Sequence, residues 1–357
     1  MVSPEPPATG QGLVVALQAN FCRVSLDRPG PGGVRQLLCT RRTRLGKSGA
    51  RICAGDRVRV EAIDWSAGRG AVGALEPRSN QLKRPSVANV DRMVVVVSLS
   101  EPALDPLQLT RFLITAEGTG RPVELVLTKA DLLPAAAVRE WCERVAAWGY
   151  PVHAVSIRSG EGVEHLRRSL SRTGIAVLCG PSGVGKSSLL NALVPELALR
   201  VAAVSGRLQR GRHTTRHVEL FPLGERSLVA DTPGFNQPEL PADPAALAAS
   251  FPELRERLAA AACRFRNCRH RGDPGCAAGT EWLRYPQYLQ CLAEVEGSAF
   301  MVKGRGRERE VGLRNRGGGQ EPLLDAQQRQ SSRRRSRQEL EAELSPPSPA
   351  DSGPVHR

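Results

Sequence analysis

The sequence predicts a multidomain α/β protein: an N-terminal OB-fold β-barrel, a P-loop α/β domain, a C-terminal helical metal-binding domain and a disordered basic tail. Short apolar runs separated by Gly, Pro and Asp fill residues 13–75, which is typical of a small barrel. Strand-like and helix-like runs then alternate from residue 91 to residue 193, as they do in doubly wound domains. Three cysteines and a histidine cluster between residues 263 and 276.

The composition indicates a basic protein with a polyanionic partner. The 357 residues include 50 Lys and Arg against 36 Asp and Glu, a formal net charge of +14. Such an excess favours nucleic acid or a membrane surface as partner, and the length predicts two or three domains. No run reaches the roughly 18–20 apolar residues of a membrane span, so we expect no membrane association. The nine cysteines are mostly scattered, and no secretory signal is apparent, which predicts a reducing cytoplasm.

The N-terminal part of the chain has the pattern of a barrel. Residues 1–10 are Pro-rich and predicted to be disordered. Residues 11–80 contain five short strand-like runs, which predict an OB-fold, a common nucleic-acid binder. The connection from Arg41 to Arg51 carries five positive charges and no acidic residue, and it is either a contact for phosphate groups or a solvated loop. The five runs are Leu13–Leu17, Phe21–Leu26, Gln36–Cys39, Arg57–Ile63 and Gly70–Leu75.

Residues 81–240 have the alternating pattern of a doubly wound α/β domain. The strand-like runs are Asp91–Ser98, Pro122–Thr128, Val152–Ile157 and Ile175–Cys179. The helix-like runs are Leu107–Glu117, Ala136–Trp148, Val163–Ser171 and Ser188–Leu193.

A phosphate-binding loop follows the last of these strands. Gly180, four residues and then Gly185-Lys186-Ser187 match the P-loop pattern between a strand and a helix. Its glycines let backbone amides converge on phosphate oxygens at a helix N-terminus. We expect Lys186 to contact the β- and γ-phosphates and Ser187 to bind Mg²⁺. The predicted nucleotide-binding residues here are Gly180, Pro181, Ser182, Gly183, Val184, Gly185, Lys186, Ser187 and Ser188.

Two further segments after the P-loop resemble the phosphate-sensing parts of a GTPase. Asp231-Thr232-Pro233-Gly234 follows an apolar run, as an Asp-x-x-Gly motif does. We expect Asp231 to hold Mg²⁺ through a water and the Gly234 amide to sense the γ-phosphate. We expect either Thr214 or Thr215 to supply the switch hydroxyl that closes on Mg²⁺. Thr215 is our assignment for the ligand, although the sequence does not decide between the two.

Recognition of the base is predicted at the end of an earlier strand. Thr128-Lys129-Ala130-Asp131 resembles the guanine motif Asn-Lys-x-Asp. Asp131 can accept hydrogen bonds from the ring N–H and the exocyclic amine of guanine, which adenine does not offer, and the Lys129 stem would lie along the base. Thr128 stands where the motif has Asn, so its bracing role is left open. Ser156 is expected in the loop that covers the base.

The order of these segments is unusual. In ordinary GTPases the P-loop precedes the guanine motif, whereas here residues 128–131 and 156 precede residue 180. The switch threonine and Asp-x-x-Gly follow the P-loop. A circularly permuted GTPase domain has this order and keeps the same three-dimensional site.

The Cys/His cluster predicts a structural zinc site. Cys263, Cys268, His270 and Cys276 form the pattern C-x4-C-x-H-x5-C. Three thiolates and one imidazole suit tetrahedral Zn²⁺ and leave no open position for catalysis. The arginines between the ligands give the cluster a basic face; they are Arg264, Arg266, Arg269 and Arg271. The cluster belongs to a predicted helical domain at 241–300, and the Arg- and Gly-rich residues 301–357 are predicted to be a disordered tail.

The arrangement of these motifs resembles the ribosome small-subunit-dependent GTPase A family (RsgA, also called YjeQ), over about residues 12–296. The resemblance implies GTP hydrolysis, stimulated by the small ribosomal subunit and its rRNA, as a late maturation checkpoint that ends in release. It implies one structural Zn²⁺, Mg²⁺ with GTP, and a cytoplasmic protein that we expect to be monomeric. Phe235 occupies the position of the usual water-orienting Gln. In the family a switch-loop histidine is the proposed substitute, and His213 matches it; an RNA contact is the alternative role.

Two other functions are compatible with part of the pattern. An ATP-dependent kinase or ATPase would use the same P-loop, but Asp131 disfavours adenine. A pure RNA-binding scaffold would use the barrel and the Cys/His cluster with a degenerate nucleotide site, but Lys186, Ser187 and Asp231 are intact.

Overall fold

The structure is a computed structural model that describes residues 7–17, 21–41, 51–82, 86–195, 197, 218–231, 238–309, 313–316 and 319–322. The chain forms two compact units, Met1–Ser298 and Ala299–Arg357.

The N-terminal strands form a closed barrel. They are β1 (Thr9–Leu17), β2 (Phe21–Leu26), β3 (Gln36–Arg41), β4 (Arg57–Asp64) and β5 (Arg69–Leu75). Their order is β1-β2-β3-β5-β4, and β4 pairs again with β1, so the barrel has no free edge. In β2, β3 and β4 the buried side chains are apolar and stand at alternate positions, as expected for strands with one face in the barrel core. The buried residues include Val14, Cys22, Val24, Leu37, Cys39, Val58, Val60 and Val72.

The first strand begins earlier than predicted. Residues 1–10 were expected to be disordered, but β1 starts at Thr9, which pairs with Glu61. The indole of Trp65 also donates a hydrogen bond of 3.0 Å to the carbonyl of Pro7. Pairing with β4 therefore orders the residues next to the Pro-rich start, and residues 1–6 lie outside the described part of the chain.

A short hairpin, β6 (Gln81–Leu82) and β7 (Val87–Ala88), leads into an α/β sheet. The sheet has the order β10-β9-β8-β11-β13-β12, parallel except for β12. Its strands are β8 (Arg92–Ser98), β9 (Val123–Thr128), β10 (Val152–Ala154), β11 (Gly174–Cys179), β12 (Glu219–Pro222) and β13 (Ser227–Asp231). The helices between them are α1 (Pro106–Glu117), α2 (Ala135–Ala147), α3 (Val163–Leu170) and α4 (Lys186–Leu193).

Burial explains the composition of this sheet. All seven residues of β8 and all six of β9 are buried, as expected for parallel strands covered on both faces. Strand β10 ends at Ala154 rather than at the predicted Ile157, because the backbone turns there: the Gly160 amide donates to the Ser156 carbonyl at 2.9 Å.

The barrel and the α/β sheet are joined edge to edge. Strand β1 pairs with β12 through Ala16 and Glu219, so one continuous sheet of 11 strands results. The Arg23 guanidinium donates to the Glu219 carboxylate at 2.8 Å across the same junction. Strand β12 is also the antiparallel neighbour of β13, which ends at Asp231.

Helices α5 (Pro244–Ala249), α6 (Pro252–Ala260) and α7 (Tyr285–Arg309) follow the sheet. Their apolar side chains, with Phe251, Trp282 and Tyr288 at the centre, pack on Ile114 of α1. Pro at the first helical position pre-sets the backbone of α5 and α6, and the Asp243 carboxylate caps α5 by accepting from the Ala245 amide at 3.2 Å.

The C-terminal part differs from the predicted disorder in its first residues. Helix α7 continues to Arg309, and β14 (Leu313–Arg316) pairs with β15 (Gly319–Pro322) as a hairpin. Residues 323–357 lie outside the described residues. None of the described helices is both long and apolar enough to span a bilayer.

Candidate nucleotide-binding and metal sites

The P-loop lies between β11 and α4 in a backbone conformation that requires its glycines. Gly180 has a φ of +141°, and a Cβ atom there would overlap the carbonyl oxygen of Val96. Gly183 and Gly185 have φ angles of +81° and +91°, in the region that side chains disfavour. The loop therefore passes close to β8 and turns directly into the N-terminus of α4.

Lys186 is held over this loop. Its ammonium group donates hydrogen bonds to the carbonyls of Gly180 at 2.8 Å and Pro181 at 2.5 Å. Ser187 and Ser188 are exposed on the first turn of α4, where the helix dipole favours anions. Burial raises the pKa of the neighbouring Cys179 thiol to about 12, so this cysteine is a neutral core residue.

Thr128 joins the predicted guanine motif to the P-loop. Its side chain is fully buried, and its hydroxyl lies 2.6 Å from the carbonyl oxygen of Val184 and 3.1 Å from that of Val97. The bracing left open by the change from Asn to Thr is therefore present. The hydroxyl has one proton, which it donates to the nearer carbonyl, that of Val184. The guanine motif and the phosphate loop are therefore directly hydrogen-bonded.

Lys129 and Asp131 follow Thr128 in a tight turn. Lys129 has a left-handed backbone with a φ of +57°, and its ammonium group donates to the carbonyl of Glu101. Asp131 is exposed on the 3₁₀ turn Ala130–Leu132. The Ala130 amide donates to the Val155 carbonyl at 3.2 Å, which ties this turn to the next predicted loop.

The loop at Ser156 is held beside both motifs. Ser156 is fully buried, and its hydroxyl accepts a hydrogen bond of 3.1 Å from the Ser159 amide. Ile157 comes close to the P-loop, since a Cβ atom on Gly185 would lie 3.9 Å from the Ile157 Cδ1. The structure thus brings residues 128–131, 156–157 and 180–188 to one edge of the sheet, where the carboxyl ends of parallel strands meet.

The predicted phosphate-sensing residues are only partly described. Asp231 is the last residue of β13, which is the parallel neighbour of the P-loop strand β11. His213, Thr214, Thr215, Gly234 and Phe235 lie outside the described residues.

Sequence analysis missed the segment Leu99–Asp105. It follows β8 at the same edge, supplies the Glu101 carbonyl to Lys129, and brings the Pro102 Cδ to 3.9 Å from the position of a Cβ atom on Gly183. Its position directly after the buried strand β8 could have predicted its role, because loops at the carboxyl edge of a parallel sheet form the binding site.

The four residues of the Cys/His cluster converge. Their ligand atoms all lie within 4.8 Å of one another, and the His270 Nδ1 is 3.6 Å from the Cys263 sulfur and 3.7 Å from the Cys276 sulfur. A tetrahedral Zn²⁺ with its usual bond lengths separates sulfur and nitrogen by about 3.6 Å. The donor set and its spacing therefore fit zinc.

Local backbone geometry supports the cluster. The Ala277 amide donates to the Cys263 sulfur at 3.3 Å, and the His270 amide donates to the Cys268 sulfur at 3.4 Å. Burial lowers the pKa of His270 and raises the pKa of Cys268 to about 11. The neutral imidazole is ready to bind a cation, and a cation at the centre would favour the thiolates.

The basic face predicted for this cluster is smaller than expected. Arg269 and Arg271 both pair with the carboxylate of Glu296, Arg269 at 3.9 Å and Arg271 more closely. Arg264 and Arg266 have no carboxylate partner in the described part of the chain. Arg264 and Arg266 thus leave their full charge available to an external anion, whereas Arg269 and Arg271 keep one net positive charge between them.

Comparison with known proteins identifies the family. A model of the RsgA GTPase family matches residues 75–241. A protein of Synechococcus sp. (strain CC9605), named small ribosomal subunit biogenesis GTPase RsgA, is 56% identical over 299 residues, which cover 84% of this chain and 98% of its own. A protein of the same name from Thermosynechococcus vestitus is 48% identical over 338 residues, which cover 94% of this chain and 96% of its own. The chain belongs to the RsgA GTPase family.

Solved structures of similar proteins agree with the RsgA assignment. YjeQ from Thermotoga maritima has a TM-score of 0.65 and 29% identity, and it covers 81% of this chain and 99% of its own. YloQ, described as a circularly permuted GTPase, has a TM-score of 0.67 and 27% identity, with coverage of 84% and 99%. The predicted permuted GTPase fold with an N-terminal β-barrel is confirmed. RsgA proteins are GTP-hydrolysing enzymes, so the alternatives of an ATPase or a pure scaffold are wrong.

Proposed function

We propose that this enzyme hydrolyses GTP in contact with the small ribosomal subunit, as a late checkpoint in subunit maturation whose hydrolysis drives release. The observation that supports it best is the hydrogen bond from Thr128 to the Val184 carbonyl, because it unites base recognition with the phosphate loop despite their permuted order. The names of the relatives supply the ribosomal partner. GDP is the product, and the enzyme acts as a cytoplasmic monomer.

The nucleotide is placed across the edge of the sheet. Asp131 accepts from guanine, Lys129 lies along the base and Ser156 supports the loop over it. The backbone and side chains from Gly180 to Ser188 hold the phosphates, with Lys186 turning from its loop carbonyls to the β- and γ-oxygens. Gly234 senses the γ-phosphate.

The residues present fit a bound Mg²⁺. Ser187 is exposed at the N-terminus of α4, and Asp231 ends β13, the strand beside the P-loop strand β11. Hydroxyl and carboxylate oxygens are the ligands that Mg²⁺ prefers. Ser187 and Thr215, or Thr214 in its place, would hold the ion, with Asp231 acting through water. When bound, Mg²⁺ supplies charge neutralisation at the phosphates.

Cys263, Cys268, His270 and Cys276 would hold one structural Zn²⁺. Their mutual distances of at most 4.8 Å support this assignment.

The closed barrel has the strand order of an OB-fold, and we assign it to rRNA binding together with the basic connection Arg41–Arg51, of which residues 42–50 lie outside the described part. His213 orients the attacking water when the enzyme is bound to RNA, since Phe235 has no polar group.

Single-turnover hydrolysis of GTP with and without purified small ribosomal subunits tests the proposal. We expect slow hydrolysis by the free enzyme and a large increase with subunits. His213→Ala should abolish most of this increase while GTP still binds. Equal rates with and without subunits would contradict the proposed function, and full stimulation of His213→Ala would contradict the role of that residue alone.

A further inference from the structure

The tip of the Cys/His loop, Arg264–Asn267, exposes an aromatic ring. The side chain of Phe265 is 53% exposed, more than that of any other Phe, Tyr or Trp whose side chain the structure describes. A large apolar side chain with this exposure gains only part of the stabilisation that full burial would give it in the free protein. Its neighbours Arg264, Arg266 and Asn267 are exposed as well, so the tip combines one ring, two cations and one amide with no acidic residue.

The backbone that carries this ring is hydrogen-bonded on both sides of it. The Cys268 amide donates to the Phe265 carbonyl at 3.2 Å, which closes a turn, and the Arg264 amide donates to the Gly275 carbonyl at 2.9 Å. The guanidinium carbon of Arg264 lies 5.5 Å from the centre of the Phe265 ring, within the range of a cation–π contact. A ligand that stacks on this ring therefore does not have to order the loop.

The charges around the ring favour a polyanion. Arg269 and Arg271 share the single carboxylate of Glu296, whereas Arg264 and Arg266 have no carboxylate partner among the described residues. The two positive charges of the cluster that no described carboxylate offsets therefore flank Phe265 in sequence. A duplex would present phosphates but no base face, because its bases are stacked inside. Only a single strand offers both a base face and phosphates within a few ångströms.

We propose that Arg264–Asn267 is a stacking platform for an unpaired RNA base. The base lies on the free face of Phe265, Arg264 and Arg266 bind the phosphates on either side of it, and the Asn267 carboxamide hydrogen-bonds the edge of the base. The proposal deepens the assignment of a ribosomal RNA partner and depends on it for its biological ligand.

Binding of a 12-nucleotide oligouridine and of a 12-base-pair RNA duplex to the zinc-loaded full chain tests the platform. Phe265→Ala and Phe265→Leu should each weaken single-strand binding about tenfold, the value of one stacked base, and leave duplex binding unchanged. Phe265→Trp should bind at least as well as wild type. Leu283→Ala is the matched control, because Leu283 is 60% exposed in the same region but has no ring. Zinc content verifies that each variant is folded.

A second readout locates the contact. An oligouridine with 4-thiouridine should crosslink to the peptide that contains Phe265, and this crosslink should vanish in Phe265→Leu. Arg264→Gln and Arg266→Gln should each reduce the slope of log affinity against log salt by about 1, whereas Phe265→Leu should leave the slope unchanged.

The proposal is overturned if Phe265→Leu binds the single strand like wild type, or if the crosslink maps elsewhere. It is also overturned if Phe265→Leu weakens binding to intact small subunits but not to RNA, since a protein partner would then cover the ring. Absence of subunit-stimulated GTP hydrolysis in wild type would refute the proposed function instead, and the oligonucleotide results would still decide the platform.

Discussion

Thr128 is the residue that makes the permuted pocket continuous. Its hydroxyl contacts the P-loop carbonyl of Val184 across 56 positions of sequence. The chain between them forms α2, β10, α3 and β11, so the link depends on the fold rather than on local sequence. A buried hydroxyl contributes only when its partner is in place. We therefore expect Thr128 to fix the distance between base and phosphates.

Replacing Thr128 by Val removes this hydrogen bond at nearly constant volume. We expect the free energy of unfolding to fall by about 1–3 kcal/mol and GTP affinity to weaken, because the two halves of the pocket are no longer fixed together. Thr128→Ser keeps the hydroxyl and should retain GTP affinity. Calorimetric titration of GTP and urea unfolding of both variants check this; equal GTP affinity of the Val and Ser variants would refute the brace.

At the scale of elements, Arg284 connects the C-terminal helices to the α/β sheet. Its side chain is 1% exposed, and its guanidinium donates to both carboxylate oxygens of Glu253, at 2.5 and 2.7 Å. Its guanidinium carbon lies 4.7 Å from the ring centre of Phe251 and 5.0 Å from that of Trp148. Trp148 follows α2, whereas Glu253 belongs to α6. The buried Arg284 guanidinium therefore contacts both the α/β domain and the C-terminal helices.

Glu253→Gln leaves the Arg284 charge buried without its counter-ion. We expect a loss of about 3 kcal/mol in the free energy of unfolding, the lower end of the cost of breaking a buried pair. Glu256→Gln, one turn away and exposed, should stay within about 0.5 kcal/mol of wild type. Urea unfolding followed by tryptophan fluorescence measures both. If the two variants were equally stable, the pair would not join these elements.

At the scale of the molecule, the barrel and the GTPase sheet share hydrogen bonds. The β1–β12 pairing at Ala16 and Glu219 places the barrel strand β1 three strands from the P-loop strand β11, with β12 and β13 between them. The protein also carries a formal net charge of +14. A basic molecule whose barrel and GTPase sheet are joined in this way can contact RNA at several points at once.

The charge predicts a steep dependence of small-subunit binding on salt. If six to ten phosphates are contacted, affinity should fall by about 10³–10⁵ between roughly 50 and 200 mM salt, because counter-ions are released from RNA. Co-sedimentation with small subunits at several salt concentrations measures this, with GTP affinity at each concentration as control. A subunit affinity that does not change with salt would point to protein–protein docking.

Sequence patterns predicted the local structure of this molecule better than its long-range contacts. Barrel strands follow from short apolar runs separated by Gly, Pro and Asp, and the P-loop follows from glycines whose φ angles require them, as at Gly180. The Cys/His spacing predicted a cluster that does converge. The contact of Lys129 with Glu101 and the pairing of Arg271 with Glu296 join residues far apart in sequence. Such contacts depend on tertiary packing, so periodicity and motif spacing contain no signal for them.

The central claim is that permuted segments form one pocket that selects guanine. Titration of GTP and xanthosine triphosphate into wild type and Asp131→Asn tests it most directly. Wild type should prefer GTP, and the variant should lose at least about tenfold in GTP affinity and prefer the xanthine nucleotide, because Asn reverses one donor–acceptor pair. An Asp131→Asn variant with the GTP preference of wild type would contradict the account.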